Sequence, residues 1–222
     1  VPDAFMILSR IISSFHNDKG ELLIEGLTPT EQDVFELSDE FVKSSLSSTG
    51  VNLFEMDSYS KRLWLEPALS ILAIDAPPVA ESVNLLIPKA KAKVSLRLPP
   101  TEDPDHAMNM LEQHIKENTP FNANVEFIPE AKGKGILVDP KNEFSSKLIE
   151  SFNKHWENEV AYMGVGGSIP FANVFINEFP NSEIVLVGAG DEEGNAHAPN
   201  ESVNLNDIQR LIDSLTDAIS NY

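Results

Sequence analysis

The chain contains no cysteine. That excludes disulfide frameworks, thiolate zinc sites and thiol nucleophiles together. Basic residues are scarce: 16 Lys and Arg stand against 35 Asp and Glu, a net charge of −19. A field of that sign repels phosphate backbones and anionic headgroups, so neither nucleic acid nor a membrane is an expected partner. No apolar run approaches the ~18 residues that cross a bilayer. The opening stretch, VPDAFMILSR, lacks the charged start and small-residue cleavage site of a secretory signal. The expected location is cytoplasmic.

What is present is enough for real cores. The 222 residues are 41% hydrophobic, room for one large domain or two small ones. The first residue is Val rather than Met, and we expect the chain to be part of a longer polypeptide.

Residues 2–16 place Phe5, Leu8, Ile11, Ile12 and Phe15 at helical spacing. A short strand is expected at 21–24, and an acidic helix over 30–48 with Thr30 as its N-cap. Residues 63–74 (LWLEPALSILAI) read as extended. Residues 91–98 alternate as KAKVSLRL, so Ala92, Val94, Leu96 and Leu98 face one way and Lys91, Lys93, Ser95 and Arg97 the other. A helix over 103–118 and a strand over 122–128 complete an α+β pattern of one sheet under helices. The boundary falls in 130–135 (EAKGKG). Beyond it, helices over 142–156, 169–179 and from about 204 alternate with apolar strands near 160–163 and 183–187. That alternation suggests an α/β layer, with too few strands to make a sheet alone.

Three places carry candidate chemistry. His197 sits in the loop 188–201 (GAGDEEGNAHAPNE) after an apolar strand, where α/β sheets bind ligands; a neutral imidazole is the commonest metal ligand. Residues 164–168 (GVGGS) precede a helix and form a candidate anion nest. Arg97 offers a guanidinium that could clamp a carboxylate with two prongs. The other histidines, His16, His106, His114 and His155, read as surface residues on polar helix faces. Asp191, Glu192 and Glu193 read as an exposed acidic loop.

The ordered set VPDAFMILSRIISSFHNDKG, KRLWLEPALSI, NLLIPKAKAKVSLRLPPTEDP, GVGGSIP and AHAPNE resembles the co-catalytic zinc metallopeptidases of the aminoacylase, carboxypeptidase and carnosinase type, in particular their dipeptidase branch. The resemblance covers nearly the whole chain. It implies an antiparallel-sheet lid domain with two helices packed on it, over 1–133 and lacking its first strand. The C-terminal part of an α/β catalytic domain would follow over 134–222. It also implies that His197 is a metal ligand, with two zinc ions, or another divalent metal, in the intact enzyme. By the same resemblance, Arg97 with Gly167 and Ser168 holds the substrate's terminal carboxylate. Asn84 reaches the partner subunit's site and polarises the scissile carbonyl, and Glu201 supports the His197 loop from behind. Two stretches depart from the family pattern: Gly164-Val165 stands where many relatives carry Arg-Glu, and 74–78 (IDAPP) replaces a glycine-rich turn.

The implied activity is zinc-dependent hydrolysis of dipeptides or similar small substrates by a homodimer joined through the lid. The other zinc ligands and the general base would lie in an N-terminal half of the same polypeptide, so this chain alone is expected to be inactive. One alternative is a non-catalytic dimerisation or interaction module on the same fold. Another is a hydrolase with Ser168 as nucleophile, although Ser168 is not in a GxSxG elbow.

Overall fold

The structure, a computed structural model, describes residues 1–46, 50–51, 56–137, 140–165, 170–179, 181–191, 194–196 and 198–222. The chain divides into two compact units: Val1–Gly135 with Met163–Ser168, and Ile136–Tyr162 with Ile169–Tyr222.

Unit 1 is a two-stranded antiparallel ribbon carrying two helices on one face. Helix α1 (Ala4–Ser13) starts where Asp3 accepts the Met6 amide at 2.9 Å, and Arg10 lies in its last turn. Helix α2 (Asp39–Leu46) is short. Helix α3 (Tyr59–Trp64) is capped by the Ser58 hydroxyl, which accepts the Lys61 amide at 3.1 Å. Strand β1 (Ala68–Asp75) pairs with β2 (Lys91–Arg97). Helix α4 (Pro104–Glu117) combines an Asp103 N-cap with Pro104 in its first turn, where the missing N–H costs nothing.

Leu69 and Ile71 of β1 lie opposite Leu96 and Val94 of β2. These side chains meet Ile11 and Phe15 from the α1 end, Ile24, and Leu111 and Ile115 of α4. Each large side chain removed from water there contributes roughly 1.5–3 kcal/mol. The other face of the ribbon presents Ser70, Ser95, Lys91, Lys93 and Arg97. The architecture is α+β, with the two-helix face that the alternation of 91–98 requires.

Unit 2, among the described residues, is built on α5 (Glu143–His155), α6 (Pro170–Glu178) and α7 (Leu205–Ser220). Helices α5 and α7 pack together through small residues. The Ser151 hydroxyl donates to the Ser214 carbonyl at 2.7 Å, and Ser214 and Ala218 are buried on the facing helix. Lys154 donates to both carboxylate oxygens of Asp217 at 3.0 Å. Glu183 caps α5 from outside the helix, accepting the Phe144 and Ser145 amides at 3.1 and 2.9 Å and the Ser145 hydroxyl at 3.0 Å.

Several expected elements take another form. The helix expected over 30–48 is confined to α2. Its upstream part is tied to the α3 region instead: the Thr30 amide donates to the Leu65 carbonyl at 2.8 Å and the Leu37 amide to the Ser60 hydroxyl at 2.8 Å. Thr30 is buried against Thr101 at 2.7 Å rather than capping a helix. The expected extended run over 63–74 begins as the end of α3, because Ser58 starts a helical turn. Residues 122–128, 160–163 and 183–187 form no paired strand among the described residues, and 21–24 contributes only an isolated bridge between Leu22 and His16. A strand needs a neighbour for its amides, and an apolar run supplies only the side chains. Phe127 still packs against the unit 1 core.

Candidate functional site

Arg97 is the last residue of β2, on the face turned away from α1 and α4. It is exposed, and among the described residues its guanidinium has neither a hydrogen bond nor an ion pair. A bidentate donor left open in a protein with a large acidic excess is chemically suited to a carboxylate.

Asn84 lies in the loop before β2, exposed and without a side-chain hydrogen bond among the described residues. This loop is apolar yet solvent-facing, with Val83 and Leu85 at 70% and 78% exposure. Its far end is tethered to the start of α1, where the Ala4 amide donates to the Ile87 carbonyl at 3.0 Å. No hydrogen bond joins Asn84 to Arg97 among the described residues.

The glycine loop is described as far as Val165, so Gly167 and Ser168 lie outside the described residues. At Gly164 the need for glycine is plain: a Cβ there would stand 2.5 Å from the Trp64 side chain. Nothing local in the sequence pairs Trp64 with this loop, so the contact was not readable there.

His197, Glu192 and Glu193 also lie outside the described residues. The flanking loop is a set of tight turns. The Ala198 amide donates to Asn195 and the Ser202 amide to Gly194, each at 2.9 Å. Asn195 and Asn200 take the left-handed conformation at φ 51° and 64°, which asparagine tolerates better than most residues. Glu201 is exposed and makes no hydrogen bond among the described residues. A catalytic zinc takes about three protein ligands, yet no group of three or more His, Asp or Glu could hold a metal among the described residues. That donor set does not by itself fit a zinc centre.

Of the histidines expected at the surface, His114 is buried at 9% exposure. Its ring stacks on Phe15 with centroids 5.5 Å apart, and Nε2 lies 3.1 Å from the Ser14 carbonyl. A carbonyl can only accept, and the Ser14 hydroxyl, 3.0 Å from the same nitrogen, already donates to the Ile11 carbonyl, so both contacts suit Nε2 as the donor. The spacing Ala107, Leu111, His114, Ile115 was the signal, since it puts His114 on the apolar stripe of α4. Burial, then the nearby Arg62 charge, pulls the His16 imidazole below its ordinary range. His106 Nδ1 pairs at 2.7 Å with the buried Glu102. Burial pushes the Glu102 carboxyl up, but His106 and the Thr28 amide outweigh it and the net shift is downward.

Glu183 behaves alike: burial raises it, while the Ser145 and Phe144 amides and the Ser145 hydroxyl bring it below the usual carboxylate range. The Lys154 hydrogen bond lowers Asp217, against some opposition from burial, with Ser151 and His155 adding to the fall. These carboxylates hold the fold. No helix among the described residues is long and apolar enough to cross a membrane.

Known proteins add a pattern to this geometry. A cysteinylglycine-S-conjugate dipeptidase of Corynebacterium striatum is 28% identical over 220 residues, spanning 95% of this chain and 47% of that protein. Among solved structures, a di-peptidase of Saccharomyces cerevisiae is similar with a TM-score of 0.76 at 20% identity, over 99% of this chain and 48% of that one. Human carnosine dipeptidase 1 gives 0.75 at 18%, over 100% and 50%. A metallo-carboxypeptidase of Sulfolobus solfataricus gives 0.73 at 23%, over 99% and 52%. The chain therefore spans about half the length of the relatives it matches. The structural likenesses share the fold, and the family model described as a peptidase dimerisation domain matches residues 1–123, which include the ribbon, both its helices and Arg97. More than half of the 222 residues fall within that match, and the chain belongs to the peptidase dimerisation domain family.

Proposed function

We propose that the chain is part of a metal-dependent dipeptidase acting as a homodimer. Residues 1–133 would be its lid, and 134–222 the C-terminal part of its catalytic domain. The observation that carries this reading is the match over 220 residues, lid and C-terminal segment alike, to a protein named as a dipeptidase. The open guanidinium of Arg97 supports it independently, because a dipeptide must present a terminal carboxylate.

In this reading Arg97 takes that carboxylate, with Gly167 and Ser168 as further donors. Asn84 lies on a solvent-facing loop suited to reach a second subunit, where its amide would donate to the scissile carbonyl. His197 would be one metal ligand, with zinc as the metal proposed, and Glu201 would steady its loop. When bound, the metal would supply Lewis acidity and an activated water. The remaining ligands would come from outside this chain.

The test is hydrolysis of a dipeptide panel by the polypeptide with its upstream half, alongside the 222 residues alone, each with and without a zinc chelator. The expected result is chelator-sensitive cleavage by the longer protein and none by the 222 residues. A folded, zinc-loaded longer protein that cleaves nothing would overturn the reading. It would favour a dimerisation module without catalysis, which the family's own description also accommodates. Cleavage insensitive to chelation but abolished by Ser168→Ala would instead point to a serine nucleophile.

A further inference from the structure

We propose that the open face of the β1–β2 ribbon is an anion-binding track, and that its ligand is a small peptide-like compound carrying two carboxylates. The proposal rests on the reading of Arg97 as the residue that takes a terminal carboxylate, and it adds Lys93 and Lys91 as selectivity residues for a second negative group.

The cross-strand register defines this face. Ala68 lies opposite Arg97, Ser70 opposite Ser95, Ala73 opposite Lys93 and Asp75 opposite Lys91. One strand thus contributes long cationic side chains while its neighbour contributes mostly small ones, which leaves the cations uncovered. Lys91, Lys93 and Arg97 are all exposed. Three of the chain's 16 basic residues fall within this seven-residue strand.

In a protein with 35 acidic residues, internal pairing of these cations would be the ordinary outcome. Among the described residues only Lys93 is paired, with Glu130 at 2.5 Å, and both side chains are more than half exposed. Such a pair is worth little in water and exchanges readily for a better anion. Lys91 makes no ion pair among the described residues, although Asp75 lies across the ladder from it. Arg97 makes none either.

Spacing sets the class of ligand. Same-face residues recur every ~7 Å along a strand, so Lys93 stands ~13 Å and Lys91 ~20 Å from Arg97 at the backbone. Long, flexible side chains can bring the Arg97 and Lys93 heads onto two carboxylates of one small molecule. Lys91 is too far for that contact. It contributes field, which salt screens beyond ~8–10 Å. Lysines on exposed strands also discourage pairing between sheets, a role that needs charge but no ligand.

The two roles separate in a titration of the isotope-labelled 222-residue chain, followed by amide chemical shifts. N-acetylaspartate supplies two carboxylates, and N-acetylasparagine is its one-carboxylate counterpart. The expected result is that both move the Ser70, Ser95 and Arg97 amides, with N-acetylaspartate bound about threefold tighter, the scale of one screened surface charge pair. That preference should vanish in the Lys91→Gln/Lys93→Gln double variant and at high salt. Both positions are exposed, so the spectrum of the unliganded variant should match the parent outside the ribbon and the surroundings of Glu130, the ion-pair partner of Lys93.

Equal affinity for the two ligands overturns the track, as does a preference that survives in the double variant, or no shift on the ribbon with either ligand. Arg97→Met tests the underlying reading separately. Loss of both ligands supports it. If Arg97→Met binds both as before while the lysine variant loses the preference, the track stands and the role of Arg97 falls.

Discussion

In unit 1 the buried positions between ribbon and helices are Ile11, Phe15, Ile24, Leu69, Leu111 and Ile115, whereas α5 and α7 of unit 2 bury Ser145, Ser151 and Ser214 beside Leu148 and Ala218. The first arrangement gains stability from apolar area. The second brings two helix backbones close and ties them with hydrogen bonds from Ser151 and Lys154 to Ser214 and Asp217, while Glu183 caps the start of α5 from outside both helices. Unit 2 also leaves Val174, Phe175, Phe179, Leu186 and Val187 in contact with solvent. One sequence thus holds its two parts by different means, and they should fail under different stresses.

The largest expected effect is Phe15→Ala. Removing a buried aromatic from the unit 1 core should cost roughly 3–5 kcal/mol. Urea unfolding followed by hydrogen exchange should show α1 and α4 losing protection while α5 and α7 keep theirs. Equal loss in both units would break the distinction. Ser214→Leu probes the opposite side. Overpacking a seam built for a hydroxyl and a methyl should cost roughly 1–3 kcal/mol, confined to α5 and α7.

Acid sharpens the contrast with a smaller effect. Glu183 and Asp217 titrate below their ordinary range. Their contribution is therefore complete above the unfolded-state values of ~4 and is lost as pH falls through the lower folded-state values. Glu102 in unit 1 has the same sign, but it ties a loop to the start of α4, as Glu183 does at the start of α5, whereas Asp217 joins one helix to another. Below about pH 4 the α5–α7 seam should lose exchange protection before the α1–α4 face does. The smallest effect is Glu183→Gln, which should speed exchange at Phe144 and Ser145 and flatten that local acid dependence. Unchanged exchange at those amides would remove Glu183 from the account.

Much of this was readable from residue order. The KAKVSLRL alternation defines β2 and the side on which Arg97 stands, and the helical spacing within 103–118, 142–156 and 204–222 corresponds to α4, α5 and α7. Local chemistry decides such elements, since the cap, the period and the stop all lie within the segment. Strands at 122–128 and 183–187 were expected on apolar content, yet strand pairing depends on a distant neighbour that no local pattern reveals. His114 is polar by residue type, which suggests the surface, but its position on the Leu111–Ile115 stripe of α4 buries it. Of the candidate site, Arg97 and Asn84 are exposed and open, while Glu201, expected to support the His197 loop, is exposed and makes no hydrogen bond among the described residues. His197, Gly167 and Ser168 fall outside the described residues.

Between Ile71 and Ala73 the ribbon slips by one: Ile71 lies opposite Val94 and Ala73 opposite Lys93, so Leu72 is an extra residue with no partner. Removing Leu72 would leave every remaining pair unchanged and make the ladder continuous. A deletion elsewhere between Leu69 and Asp75 would disturb register, and register decides which side chains meet the core. The bulge is therefore a length buffer, a point at which related chains can differ by one residue in β1 and still keep the same face toward α1 and α4.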